Sequence, residues 1–139
     1  MKAHVTYLSK TGITRKYASE IDTFLRANQT ESIMQNIHDV NPEDAGLADL
    51  VLLGAWCHGL FIFLQHPDKP WVEFARKLPD LSGKKVALFT TYKLATGSMF
   101  KKMRKQLKLA ENQQVENFKS KNGSLSEEDK ERLLSWVIS

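Results

Sequence analysis

The chain carries one cysteine, Cys57, in 139 residues, so no disulfide can close within it and a reducing compartment, the cytoplasm, is expected. No stretch approaches the roughly 18 consecutive apolar residues that a membrane span needs. Met1-Lys2-Ala3-His4-Val5 runs directly into a strand-like pattern rather than a signal-peptide core, so no membrane partner is expected. The spaced Gly-Lys-Ser/Thr of a Walker loop is missing, and so is the Gly-x-Gly-x-x-Gly of dinucleotide folds. His4, His38 and His66 lack ligand spacing, and no metal is expected. Repeats, low-complexity tracts and linkers are absent too. The length suits one domain spanning residues 1–139. A net charge of +4 is too small to imply nucleic acid, but it favours an acidic protein partner.

What is present is an alternation of strands and helices. Ala3 to Leu8 reads as a buried strand, and Thr14 to Leu25 as a helix with Tyr17, Ala18, Ile21 and Leu25 on one stripe. A weaker strand over Ile33 to Ile37 and a short helix at Asn41-Pro42-Glu43-Asp44 precede Leu50 to Gly54, a continuous apolar run typical of a central parallel strand. Pro70 opens a helix whose core face is Trp71, Phe74, Ala75 and Leu78. Lys85 to Thr91 is a strand. Met99, Phe100, Met103 and Leu107 share one helix face, and Val115 to Lys119 is a faint fifth strand. Ser126 and Asp129 pair as a capping box for a last helix, with Leu133, Leu134, Trp136 and Val137 turned inward. Strand then helix, five times, means an α/β fold with a parallel sheet covered on both faces.

In such sheets ligands sit beyond the carboxyl ends of the strands. Three loops lie there: Ser9 to Thr14, Ala55 to Lys69, and Thr90 to Ser98. In the first, Ser9-Lys10-Thr11-Gly12-Ile13-Thr14, a phosphate would meet the free N–H groups and positive dipole end of a helix. Gly12 allows close backbone approach, and the hydroxyls of Ser9, Thr11 and Thr14 can donate to phosphate oxygens. The plainer alternative is that Thr11 caps a helix and Gly12 eases a turn. Trp56 stands just past a buried strand, placed either to stack on a planar ring or to cap the core; Tyr92 poses the same choice. Gly59 and Gly97 suit loops that let backbone approach such a ring. Cys57 and His58 are adjacent, which is poor geometry for a nucleophile and its base. Cys57 is then a packing thiol, and His58 a hydrogen-bonding group. No catalytic side chain is assigned.

The chain resembles the flavodoxin family. Ser9-Lys10-Thr11-Gly12-Ile13-Thr14 matches that family's Ser/Thr-x-Thr-Gly-x-Thr phosphate loop at every specified position. Asp49-Leu50-Val51-Leu52-Leu53-Gly54-Ala55-Trp56 resembles its third strand and the loop that stacks on the flavin. Pro70 to Phe74 and Leu81 to Phe89 resemble the helix and strand that follow. The resemblance implies a doubly wound, three-layer fold with strand order 2-1-3-4-5, flavodoxins being the standing example of the crevice-binding rule. It implies bound FMN, with Ser9, Lys10, Thr11, Gly12, Ile13 and Thr14 on the phosphate. Ala55, Trp56, Cys57, His58, Gly59, Thr91, Tyr92 and Gly97 would then surround the ring. Three features depart from the family. Leu60-Phe61-Ile62-Phe63-Leu64 is apolar where flavodoxins carry polar and acidic residues, the chain is basic where they are acidic, and Tyr92 to Ser98 lacks an acid.

The implied function is electron transfer by FMN to or from a redox partner, with service to a flavin reductase as one form of it. A module binding FMN or phosphate without redox turnover is the alternative, and an FMN-dependent quinone or nitro reductase a third. For partner docking the sequence offers Lys101, Lys102, Arg104, Lys105 and Lys108 on one helix, together with the Leu60–Leu64 loop.

Overall fold

A computed structural model describes residues 1–57 and 65–139. Five strands form it: β1 (Lys2–Leu8), β2 (Glu31–Asn36), β3 (Leu50–Trp56), β4 (Lys85–Thr91) and β5 (Val115–Ser120). All pairings are parallel, in the order β2-β1-β3-β4-β5. Between them run α1 (Ile13–Ala27), α2 (Pro42–Ala45), α3 (Lys69–Arg76), α4 (Met99–Lys105) and α5 (Glu127–Ile138). Among the described residues no helix is long and apolar enough to cross a membrane.

The apolar runs of β3 and β4 feed two cores because successive side chains leave a strand on opposite faces. Leu50, Leu52, Ala87 and Phe89 join Tyr17, Ala18, Ile21 and Leu25 of α1 and Leu133 and Val137 of α5. Val51, Leu53, Ala55, Val86 and Leu88 join Trp71, Phe74 and Ala75 of α3 and Met99 and Met103 of α4. The three expected layers follow. Gly54 is required within them: a Cβ there would lie 2.0 Å from the Phe89 ring. That ring meets Tyr17 edge-on, with centroids 5.8 Å apart at 84°.

Two expectations need correction. The second strand starts and ends earlier than its apolar residues suggested, because Ile37 begins a 3-10 turn (Ile37–Asp39) that the Asn36 side chain caps through the His38 N–H. Leu134 is turned outward: Leu133 and Val137, four apart, define the buried line of α5, and Leu134 falls beside it. The cap of that helix is half formed. Ser126 Oγ accepts from the Asp129 N–H, whereas the Asp129 carboxylate takes Arg132 at 2.9 Å instead of reaching back.

Candidate functional site

Neighbouring strands end together. Leu8 pairs with Ala55, Trp56 with Thr91, and Thr91 with Ser120, so the loops after β1, β3, β4 and β5 line one edge. The strand order reverses between β1 and β3. There the crevice of a doubly wound sheet opens, beside Ser9 to Thr14 and Trp56.

The first loop is held by its own backbone. Gly12, at φ +92°, is the N-cap of α1, in a conformation that L side chains rarely adopt. Its N–H donates to Ser9 Oγ at 3.0 Å, and its carbonyl accepts from the Lys16 N–H at 3.0 Å. No side chain caps the helix, so Thr11 is not the cap that its type suggests. The N–H groups of Ile13, Thr14 and Arg15 consequently have no partner among the described residues. Nothing lies within 4 Å of where a Gly12 Cβ would stand, so the backbone is open to an approaching group. Residues 9–16 contain Lys10, Arg15 and Lys16 and no acid. This donor set suits an anion with several acceptor oxygens, and the fit to a phosphate is good.

Thr14 behaves differently from its expected role. Its hydroxyl is buried and lies 2.6 Å from the Thr91 hydroxyl across the crevice. Two hydroxyls bonded to one another use one hydrogen and leave one over. Only that remaining hydrogen can serve a ligand. The neighbouring Thr90 hydroxyl is spent within the sheet, donating to the Ala55 carbonyl at 2.7 Å.

Trp56 and Tyr92 are both half-buried at the ends of adjacent strands. Trp56 rests partly on the core, and the Lys10 ammonium lies over its ring at 4.8 Å. The Lys119 and Lys121 ammonium groups each stand 5.8 Å from the Tyr92 ring. Cys57 fastens β3 to β4 through its N–H to the Thr91 carbonyl at 2.8 Å. Burial pushes its thiol up to about 11, with Lys102 pulling the other way, so the sulfur is protonated at neutral pH and is no nucleophile. His58, Gly59 and Leu60 to Leu64 lie outside the described residues. Gly97 has φ +49°, and Asp68 accepts from the Lys69 N–H at the start of α3.

The fourth loop was not among the three singled out. Gly123, at φ +83°, sits so close to α1 that a Cβ would meet the Ile13 carbonyl oxygen at 2.8 Å. Lys16 Nζ reaches the Asn122 carbonyl and Ser124 Oγ, both at 3.3 Å. Lys121-Asn122-Gly123 directly after a strand was the available signal, since Asn-Gly marks a turn. On α4, Lys102 donates to the Gln65 carbonyl, Arg104 to the Gln113 carbonyl, and Lys108, beyond the helix, to the Arg76 and Leu78 carbonyls. Of the five cations, Lys101 and Lys105 make no such contact among the described residues. Groups of His, Cys, Asp or Glu that could hold a metal are absent among the described residues.

A family model described as a flavodoxin domain matches residues 4–130. A flavodoxin from Megasphaera elsdenii is 31% identical over 93 residues, which span 67% of this chain and 66% of that protein, just under two thirds of it. The solution structure of the two-electron reduced M. elsdenii flavodoxin superposes with a TM-score of 0.76 at 25% identity, covering 99% of both chains. A variant of Fusobacterium nucleatum flavodoxin, solved bound to flavin mononucleotide, gives a TM-score of 0.63 at 15% identity over 99% of this chain and 94% of that one. This last likeness speaks to the fold alone.

Proposed function

Because the chain belongs to the flavodoxin family, whose cofactor is FMN, we propose that it holds FMN non-covalently at the carboxyl edge of its sheet and carries electrons to or from a partner protein. The observation that carries this is the start of α1. Three N–H groups without partners among the described residues, a glycine open to close approach and a loop free of acids together favour a phosphate. FMN, when bound, supplies a ring that accepts and releases electrons; the protein sets its position and surroundings.

The roles proposed for this chain's residues follow from their chemistry. Ser9, Lys10, Thr11, Gly12, Ile13 and Thr14 hold the phosphate, by backbone N–H groups, hydroxyl donors and the Lys10 charge. Ala55, Trp56, Cys57, His58, Gly59, Thr91, Tyr92 and Gly97 surround the ring. Trp56 and Tyr92 contribute aromatic faces, which requires the exposed Lys10, Lys119 and Lys121 side chains to swing aside. The protonated Cys57 stays out of the chemistry.

Titration of the purified chain with FMN and with riboflavin tests the reading. Thr11→Ala should weaken FMN by about 1.5–3 kcal/mol, as for a hydrogen bond to a charged group, and leave riboflavin unchanged. Trp56→Ala should weaken both ligands and relieve quenching of flavin fluorescence. A colourless protein that takes up neither ligand would favour an interaction module without redox turnover.

A further inference from the structure

We propose that this same edge is a docking face for an acidic protein, and that the basic helix α4 is not; the inference rests on the FMN reading only in taking the partner to be a protein. Three of the segments on this edge, 9–16, 90–98 and 119–125, contain Lys10, Arg15, Lys16, Lys93, Lys119 and Lys121, without one Asp or Glu. Adjacent strands lie about 4.8 Å apart, so the ends of β1, β4 and β5 spread these cations along roughly 15 Å of one edge. Lys10, Lys93, Lys119 and Lys121 are exposed. The nearest acids in sequence are largely spent. Asp68 caps α3, Glu127 pairs with Lys130 at 3.1 Å, and Glu116 and Asp129 pair with Arg132, leaving Glu20 and Glu128 among the described residues.

The centre of the face is apolar. Leu94 is 69% exposed between Lys93 and the half-buried Ala95, two residues past the half-buried Tyr92. An apolar middle ringed by charge is the usual anatomy of a protein interface. An edge of this size suits the small, transient contacts of redox proteins, under about 1,200 Å² in total. The rim has one sign, so the partner must present the other. On α4 two of the four cations, Lys102 and Arg104, are tied to carbonyl oxygens, which leaves Lys101 and Lys105 untied among the described residues against Lys10, Lys93, Lys119 and Lys121 on the edge.

The test uses the full ¹⁵N-labelled chain with FMN added, titrated with poly-L-glutamate as a model acidic surface. At about 10 mM salt, amide shifts should cluster at residues 92–94 and 119–121. Binding should weaken at about 0.1 M, as the Debye length falls from about 30 to about 10 Å. The triple variant Lys93→Glu, Lys119→Glu, Lys121→Glu should lose affinity at least about tenfold, and Lys101→Glu, Lys105→Glu less than about twofold. The reverse ranking, or shifts spread over every surface lysine, overturns the proposal. Tighter binding of oligo-dT or of phosphatidylserine vesicles at the same residues overturns the choice of a protein. A colourless chain that still binds polyglutamate at this edge sinks the FMN reading and spares this one.

Discussion

The hydroxyl pair of Thr14 and Thr91 joins the first helix to the fourth strand, 77 positions apart, and a double-mutant cycle on it probes stability and ligand binding together. Both residues are buried, at 1% and 6% exposure, so Thr14→Val or Thr91→Val alone strands the other hydroxyl without a partner. That should cost about 1–3 kcal/mol, whereas replacing both with groups of similar shape is nearly neutral. With a urea m-value near 2 kcal/mol/M, each single variant should lower the midpoint by about 0.5–1.5 M. The double variant should lie near the wild type, giving a coupling energy of about 2–6 kcal/mol, the two single costs together. Ligand binding supplies the second arm. The double variant keeps the fold but loses the spare hydrogen, so FMN affinity should fall by a factor of about 10 to 150 while riboflavin is unaffected. Additive single costs would show that the hydroxyls are not coupled. Equal losses for FMN and riboflavin would show that the spare hydrogen does not meet the phosphate.

Gly54→Ala should cost about 3 kcal/mol or more by chemical denaturation, because a Cβ 2.0 Å from Phe89 must displace a core ring; a loss under about 1 kcal/mol would mean the ring has room to move. Alkylation of Cys57 by iodoacetamide in the chain without FMN should rise with pH through about 11, and a plateau near pH 9 would place the thiol in water. With its folded value raised, Cys57 stabilises the fold below its unfolded value and loses that contribution as pH climbs toward 11. Lys93→Glu should lower the flavin's second-electron potential by about 20–40 mV, which corresponds to roughly 0.5–1 kcal/mol left after solvent and salt screen a charge some 8 Å away. Lys101→Glu should move it less, and equal shifts would show that Lys93 points away from the ring.

The sheet was legible because its central strands are uninterrupted apolar runs. The order of elements, the buried faces of α1 and α3 and the Ser126 cap followed from spacing alone. The end of β2 was not legible, since it depends on one Asn36 side chain bonding two residues on. The phosphate loop could be read as a motif. The diversion of the Thr14 hydroxyl could not, because its partner is remote in sequence. The basic run on and after α4 was legible as charge, whereas the carbonyl oxygens of residues 65, 76, 78 and 113 that tie down Lys102, Arg104 and Lys108 were not, being remote in sequence or hidden in the fold. Lys119 and Lys121 escaped notice because Val115 to Lys119 is a faint strand, and the loop behind it was not followed to the edge.

The anchoring of the first helix on the fourth loop has a kinetic consequence. Lys16 reaches residues 106 and 108 positions later, and Gly123 closes against the Ile13 carbonyl. Closing so long a loop costs entropy before any contact repays it, so these contacts are among the last that a folding chain makes. The segment that carries the phosphate-loop motif leaves the ribosome well before residues 120–124, yet its final shape waits on their arrival. Capture of FMN would then report that folding is complete, and the cofactor could not guide its early steps.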